Sequence, residues 1–240
     1  MSISKVFLGM LLVLMSIIAN AKSDERRINN ILTGINKNIT EHEVDVQLDN
    51  LMHMSEVQRK YLLQSYLNGS SSDTNMGLGL AAICWQESSL GANLCNPNDC
   101  KRTKYTGSYG PYQASINTVM HRHNLHGMAM ANRIKHKLLV DPDFAKNEAI
   151  AELSAWNDYW GSKKVTHKWA HVIASYNVGG KSIYGSNGKV YLTSIIIKTR
   201  AIDKFFKMNN YYVNNTHEIK IDNPRVNEKF LYSYVKEHAV

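Results

Sequence analysis

Glu87 is the carboxylate in this sequence whose setting could support chemistry. Counting back along its helix by three, four and seven residues reaches Cys84, Ile83 and Leu80, all apolar and all on the same face. A carboxyl at the end of such a stripe is pushed toward its neutral form, because burial penalises the charge. A neutral carboxyl near neutral pH can donate a proton to a reacting group. The position equally suits a buried structural glutamate paired with a lysine or arginine.

Two later segments add polar groups of the right kind. In Gly107-Ser108-Tyr109-Gly110-Pro111-Tyr112-Gln113 the glycines permit positive φ and close backbone approach, and Gln113 can both donate and accept hydrogen bonds. In Ala174-Ser175-Tyr176-Asn177-Val178-Gly179 the Tyr176 hydroxyl could lie against the Glu87 carboxyl. Asn177 offers an amide there, and Gly179 suits a helix end. Local turn or cap bonding accounts for Gln113 and Asn177 as well, and a plain core role accounts for Tyr176.

Taken in order, Glu87-Ser88, Gly107–Gln113 and Ala174–Gly179 resemble the E-S, G-x-x-G-L-M-Q and A-x-Y-N-x-G blocks of the soluble lytic transglycosylases, a lysozyme-like family. Asp141-Pro142-Asp143 and the helix after it resemble that family's D-P-x-x-N-I stretch, so the likeness spans residues 74–200. The resemblance implies a mainly α, lysozyme-like (goose-type) catalytic domain acting on peptidoglycan glycan strands without metal or cofactor. Glu87 would be the acid/base and Tyr176 its catalytic partner. Ser88 (near the lactyl side of muramic acid), Gly110, Tyr112, Gln113 and Asn177 would bind substrate, with Tyr112 lining the cleft. This chain departs from the pattern in carrying Gly110-Pro111-Tyr112-Gln113 for G-L-M-Q. It also sets Gly107 20 positions after Glu87, a long gap holding Cys95 and Cys100.

The implied reaction uses a single carboxyl group. Glu87 would protonate the oxygen between N-acetylmuramic acid and N-acetylglucosamine, then accept the proton of the muramic 6-hydroxyl as a 1,6-anhydro ring closes. Ordinary glycosidases use two carboxyl groups. A hydrolytic muramidase of the goose-type lysozyme kind, including a phage endolysin, would therefore recruit a second, and Asp99 in the insert is the candidate. A third reading is an exported wall-binding module without chemistry, although Glu87, Gln113 and Tyr176 are all retained.

Apolar periodicity supplies the elements that must position these groups. Ile28–Ile39, Val44–Leu51 and Tyr61–Leu67 predict helices ahead of the main domain. Met76–Ser89 is the helix carrying Glu87, with Asp73 or Thr74 as its cap, and Leu90–Pro111 reads as irregular. Helical patterns return over Tyr112–Leu125, Met128–Leu139, Ala145–Trp160 (started by Asp141-Pro142), Trp169–Tyr176 and Tyr191–Phe206, with a last amphipathic piece at Phe230–Val235. The domains expected are a signal peptide over 1–21, a helical segment over 22–70, the catalytic domain over 71–206 and an extension over 207–240.

Val6–Ile18 is an apolar run after Lys5 and before Ala19-Asn20-Ala21, the layout of a cleavable Sec-type signal. Its thirteen residues would span roughly 20 Å as helix, short of a ~30 Å hydrocarbon core. The expected location is therefore the periplasm or cell envelope. There Cys95 and Cys100 should pair across a turn-forming tetrapeptide while Cys84 stays a buried thiol.

The net charge of +8 suits anionic wall polymers, and no basic run with interleaved aromatics argues for nucleic acid. A monomer is expected, and the same chemistry would serve wall turnover, a secretion or conjugation machine in the envelope, or phage lysis. His167 and His171, and the cluster His121, His123 and His126, lack the H-E-x-x-H arrangement of a zinc site. Trp85, Trp156, Trp160 and Trp169 suit either core packing or stacking on sugars.

Overall fold

The computed structural model of the chain describes residues 25–70, 74–95, 107–209, 211–213 and 219–221. The expected signal segment, Asp73, Asp99, Cys100 and the amphipathic piece at Phe230–Val235 lie outside the described residues. The fold is mainly α: α1 (25–38), α2 (Glu41–Met52), α3 (Glu56–Ser70), α4 (Thr74–Ser88), α5 (Ile116–Arg122), α6 (Met128–Val140), α7 (Pro142–Ser162), α8 (Lys168–Val178) and α9 (Ser186–Met208). Two antiparallel pairs accompany the helices: β1 (Ser108–Tyr109) with β2 (Ala114–Ser115), and β3 (Tyr211–Val213) with β4 (Ile219–Ile221). Among the described residues no helix is long and apolar enough to cross a membrane.

Local chemistry explains the helix starts. Thr40 and Glu43 close a capping box at the head of α2. Asp141 accepts from the Phe144 N–H at 2.9 Å and Pro142 takes the first position of α7, where a missing N–H costs nothing. Gly179 ends α8 at φ +65°, as its residue type suggests.

The helix expected over Tyr112–Leu125 is shorter, running only from Ile116 to Arg122. Gly110 at φ +81° and Gln113 at φ +49° turn the chain back on itself, and the residues expected to open the helix form the β1–β2 hairpin instead.

At the centre lies α4. Leu80, Ala81, Ala82, Ile83 and Cys84 have no exposure, so this helix is buried on every side and not along one stripe. It packs chiefly against α3 and α9, and the Trp169 indole of α8 rests on Gly79. The core is one cluster from Ile28 to Phe206, and α2 lies on α9, so the leading helices share the core of residues 71–206.

Between α8 and α9 the 3-10 segment Gly179–Tyr184 bends sharply at Ser182, whose φ is +46°. The carbonyl oxygen of Ser182 faces Gly188 of α9, where an added Cβ would sit 1.9 Å from it. Gly188→Ala should therefore force backbone apart and destabilise the protein by about 1–3 kcal/mol, read as a lower urea midpoint at unchanged slope. A midpoint equal to wild type would mean that this contact yields freely.

Candidate active site

Glu87 is the penultimate residue of α4, and its carboxyl emerges from the apolar centre into a cleft of about 480 Å³. The described lining of this cleft is Glu87, Asn93, Cys95, Ser108, Gln113, Tyr176 and Asn177, so its other groups are neutral. Burial pushes the Glu87 carboxyl above the usual carboxylate range. A hydrogen bond from Tyr191 and the charge of Lys198 both pull it down, by less. The negative end of the α4 dipole lies at the same terminus and further disfavours the anion.

The hydroxyl holding Glu87 differs from the one its sequence neighbours suggest. Tyr191 of α9 donates to Glu87 Oε1 at 2.6 Å, whereas the Tyr176 hydroxyl donates to the Tyr112 carbonyl at 2.8 Å. Tyr176 still lines the cleft, close enough for the Glu87 charge to raise its phenol. Both phenols are pushed well above their ordinary value, first by burial and then by Glu87, so both remain donors. Tyr191 was legible only as the first residue of an apolar helical face. Its signal was a buried hydroxyl on that face needing a partner.

Two residues expected at the substrate face inward. Ser88 is buried: its Oγ donates to the Cys84 carbonyl at 3.0 Å and accepts from the Gly91 N–H at 2.8 Å. It thereby organises the turn after α4, in which Ser89, Leu90 and Gly91 are successively left-handed. Tyr112 is also buried, its hydroxyl 2.7 Å from Ser65 Oγ on α3. Since the Ser65 hydroxyl donates to the Tyr61 carbonyl, Tyr112 is the donor in that pair.

Gly110 is placed for backbone contact within the protein. Its N–H donates to the Leu94 carbonyl at 2.8 Å, and an added Cβ would lie 2.3 Å from the Leu138 oxygen. Gln113 and Asn177 do reach the cleft. Gln113 spends its Nε2 on the carbonyls of Leu94 (3.2 Å) and Gly110 (2.9 Å), which leaves its amide oxygen as the group it can offer. Asn177 is exposed at the rim.

The cleft continues into a second cavity of about 290 Å³ that shares Ser108, Gln113, Tyr176 and Asn177 with it. Arg122, Glu148, Glu152 and Trp156 line this extension. Arg122 bonds both Glu148 and Glu152, His123 bonds Glu148 at 2.6 Å, and the Trp156 indole donates to Glu152 at 2.8 Å. Both carboxylates are therefore committed to cationic and indole donors.

Other residues singled out in the sequence serve elsewhere. His171 is buried between the rings of Trp160 and Tyr184 and meets Ser182 Oγ at 3.0 Å, while His167 reaches Asn29 on α1. The Trp160 indole donates to Ser175. Cys84 is a free buried thiol, pushed up to about 12 chiefly by burial, and Cys95 is disulfide-bonded. Cys95 also bridges to Tyr109, which fastens the start of the insert to β1.

The raised carboxyl makes stability depend on pH with a definite sign. Between the ordinary carboxylate range and the higher folded value, the native state keeps a proton that the unfolded chain has lost, so stability falls as pH rises through that window. Glu87→Gln should therefore gain on wild type in unfolding free energy as pH is raised from about 4 to 8. A gap independent of pH in urea titrations would show that Glu87 ionises without hindrance. Compared with protein-family models, with curated proteins and with solved structures, the chain finds no match in any of the three.

Proposed function

We propose that this chain is an exported peptidoglycan lytic transglycosylase with a lysozyme-like helical domain, acting through Glu87. The observation that carries the reading is a desolvated carboxyl, held by a tyrosine hydroxyl, opening into a cleft otherwise lined by neutral polar groups. The blocks shared with the soluble lytic transglycosylases supply the substrate: Gln113, Tyr176 and Asn177 meet Glu87 at this cleft.

Protonated Glu87 gives its proton to the glycosidic oxygen as the bond from muramic C1 to that oxygen breaks. The muramic acetamido group supports the cationic C1. The 6-hydroxyl oxygen then bonds to C1 and returns its proton to the Glu87 carboxylate, so no water is consumed. Tyr191 fixes the carboxyl in both states, donating to the anion and keeping the acid aimed. The amide oxygen of Gln113 and the side chain of Asn177 position the sugars.

A single carboxylate in the described lining favours ring closure over hydrolysis, which ordinarily uses two. Glu148 and Glu152 in the adjoining cavity are engaged by Arg122, and Asp99 lies outside the described residues.

Digestion of peptidoglycan by the purified chain should release muropeptides ending in 1,6-anhydromuramic acid, read by mass spectrometry. Glu87→Gln should slow their release by roughly 10²–10⁴-fold. Reducing ends would transfer the assignment to a hydrolytic muramidase. Wall binding without any sugar release would instead leave a binding module.

Tyr191→Phe should cut turnover about tenfold through loss of one charge-assisted hydrogen bond. It should also move the alkaline limb of the pH–rate profile upward, because the bond it removes favours the anion. An unmoved limb would mean that Tyr191 does not act on Glu87.

A further inference from the structure

Tyr191, Ser194 and Lys198 recur on α9 at i, i+3 and i+7, the spacing of one helix face. All three bond to the end of α4. Tyr191 donates to Glu87 Oε1 at 2.6 Å, and Ser194 donates to Oε1 of Gln86, the residue before it. Lys198 Nζ donates to the same Gln86 oxygen at 2.8 Å and to Ser194 Oγ at 3.2 Å. It also stands 5.5 Å from the centre of the Trp85 ring. Lysine is a point charge on a flexible stem, and these three neighbours define where that charge sits.

The charge sits beside Glu87 and outside its cleft. Lys198 lines a separate opening with Trp85 and Gln86, and none of these three lines the cleft. Its ammonium is partly desolvated, its hydrogen-bond acceptors are neutral, and no ion pair of the described residues includes it.

The other titratable groups around Glu87 bring no competing charge. Cys84 of α4, Tyr176 of α8 and Tyr191 of α9 are kept neutral chiefly by burial. Glu56, Arg59 and Lys60 of α3 line neither opening. Glu152 of α7 is engaged by Arg122, and the exposed His53 of α2 stands 3.6 Å from the Asp49 carboxylate.

A cation in direct contact with Glu87 would hold the carboxyl ionised and remove it as an acid. With no cation nearby, the anion left after proton transfer would face burial with only the Tyr191 hydrogen bond as support. Gln86 and Ser194 hold the ammonium between those extremes. We propose that Lys198 is a positioning residue for the acid: aimed by Gln86 and Ser194, its ammonium is the positive charge against which the Glu87 carboxylate forms. Its bearing on turnover rests on reading Glu87 as the acid of a peptidoglycan-cleaving enzyme.

Carbon-13 NMR titration of the Glu87 carboxyl in the full chain, without substrate, tests this directly. Lys198→Met removes the charge, keeps an apolar stem, and should move the Glu87 midpoint upward. Lys198→Arg keeps the charge and should bring the midpoint back toward wild type. Lys198→Gln takes the place of Lys198→Met if the latter fails to fold. On peptidoglycan, Lys198→Met should also move the alkaline limb of the pH–rate profile upward. It should lower kcat by less than about tenfold, since a weaker acid gives its proton less readily. KM should stay unchanged, because the side chain lies outside the cleft.

A Glu87 midpoint unmoved in folded Lys198→Met, or moved equally by Lys198→Arg, would overturn the proposal. So would a raised KM with an unmoved pH–rate limb. The titration needs no turnover, so the two readings fail separately. A midpoint that moves in a chain releasing no anhydro products would sink the enzymatic reading alone. Anhydro products with an unmoved midpoint would sink this role of Lys198 alone.

Discussion

The burial of α4 on every side governs the rest of the structure. A helix with five consecutive residues out of solvent, Leu80 to Cys84, can carry polar side chains only toward its ends. Glu87 and Ser88 stand at one such end, where backbone carbonyls lack helical partners. Ser88 answers that deficit locally by bonding back to Cys84 and forward to Gly91, and so starts the left-handed turn. Glu87 cannot be satisfied within its own helix and takes its donor from α9. Packing that would be routine at a helix surface here fixes a carboxyl in a desolvated place with one defined hydrogen bond.

Rigidity on either side of Glu87 comes from the helices that precede the cleft-forming segments. Gln58 of α3 donates to the Ser89 carbonyl at 3.0 Å, and Ser65 of α3 receives the Tyr112 hydroxyl. One helix thereby holds both the turn after α4 and the hairpin that bears Gln113. Three non-glycine residues at positive φ lie at the same two places, Ser89 and Leu90 on one side and Gln113 on the other. Such conformations persist only where surrounding contacts over-determine them, and α3 supplies those contacts. The leading helices are in this sense a structural part of the cleft, whatever chemistry the later segments carry.

Much of this was legible in the sequence, and the misses have physical reasons. The bounds of α6 and α7 follow from apolar periodicity and from the Asp141-Pro142 start, since both signals act within a few residues. The apolar face under Glu87 was legible for the same reason. Tyr112 and Ser88 were misassigned because direction is set by partners distant in sequence or by a turn: Ser65, 47 residues away, draws Tyr112 inward. The exchange of Tyr176 for Tyr191 has the same origin. Both are tyrosines on apolar helical faces, and only the crossing of α4 with α9 decides which hydroxyl meets the carboxyl. The short helix at Ile116–Arg122 was overestimated because Tyr112 continues its apolar pattern backward into a turn that Gly110 and Gln113 impose.

The forces on Glu87 oppose one another, and their balance bears on what the site can do. Burial raises the carboxyl, while Tyr191 and Lys198 lower it. An acid that must later act as a base needs an intermediate proton affinity, because a carboxyl driven fully neutral would not give its proton up. Tyr191 acts by direct contact. Lys198 acts through space from a cavity wall. The α4–α9 seam thus brings to Glu87 both influences that oppose its burial, from two side chains seven residues apart on a single helix.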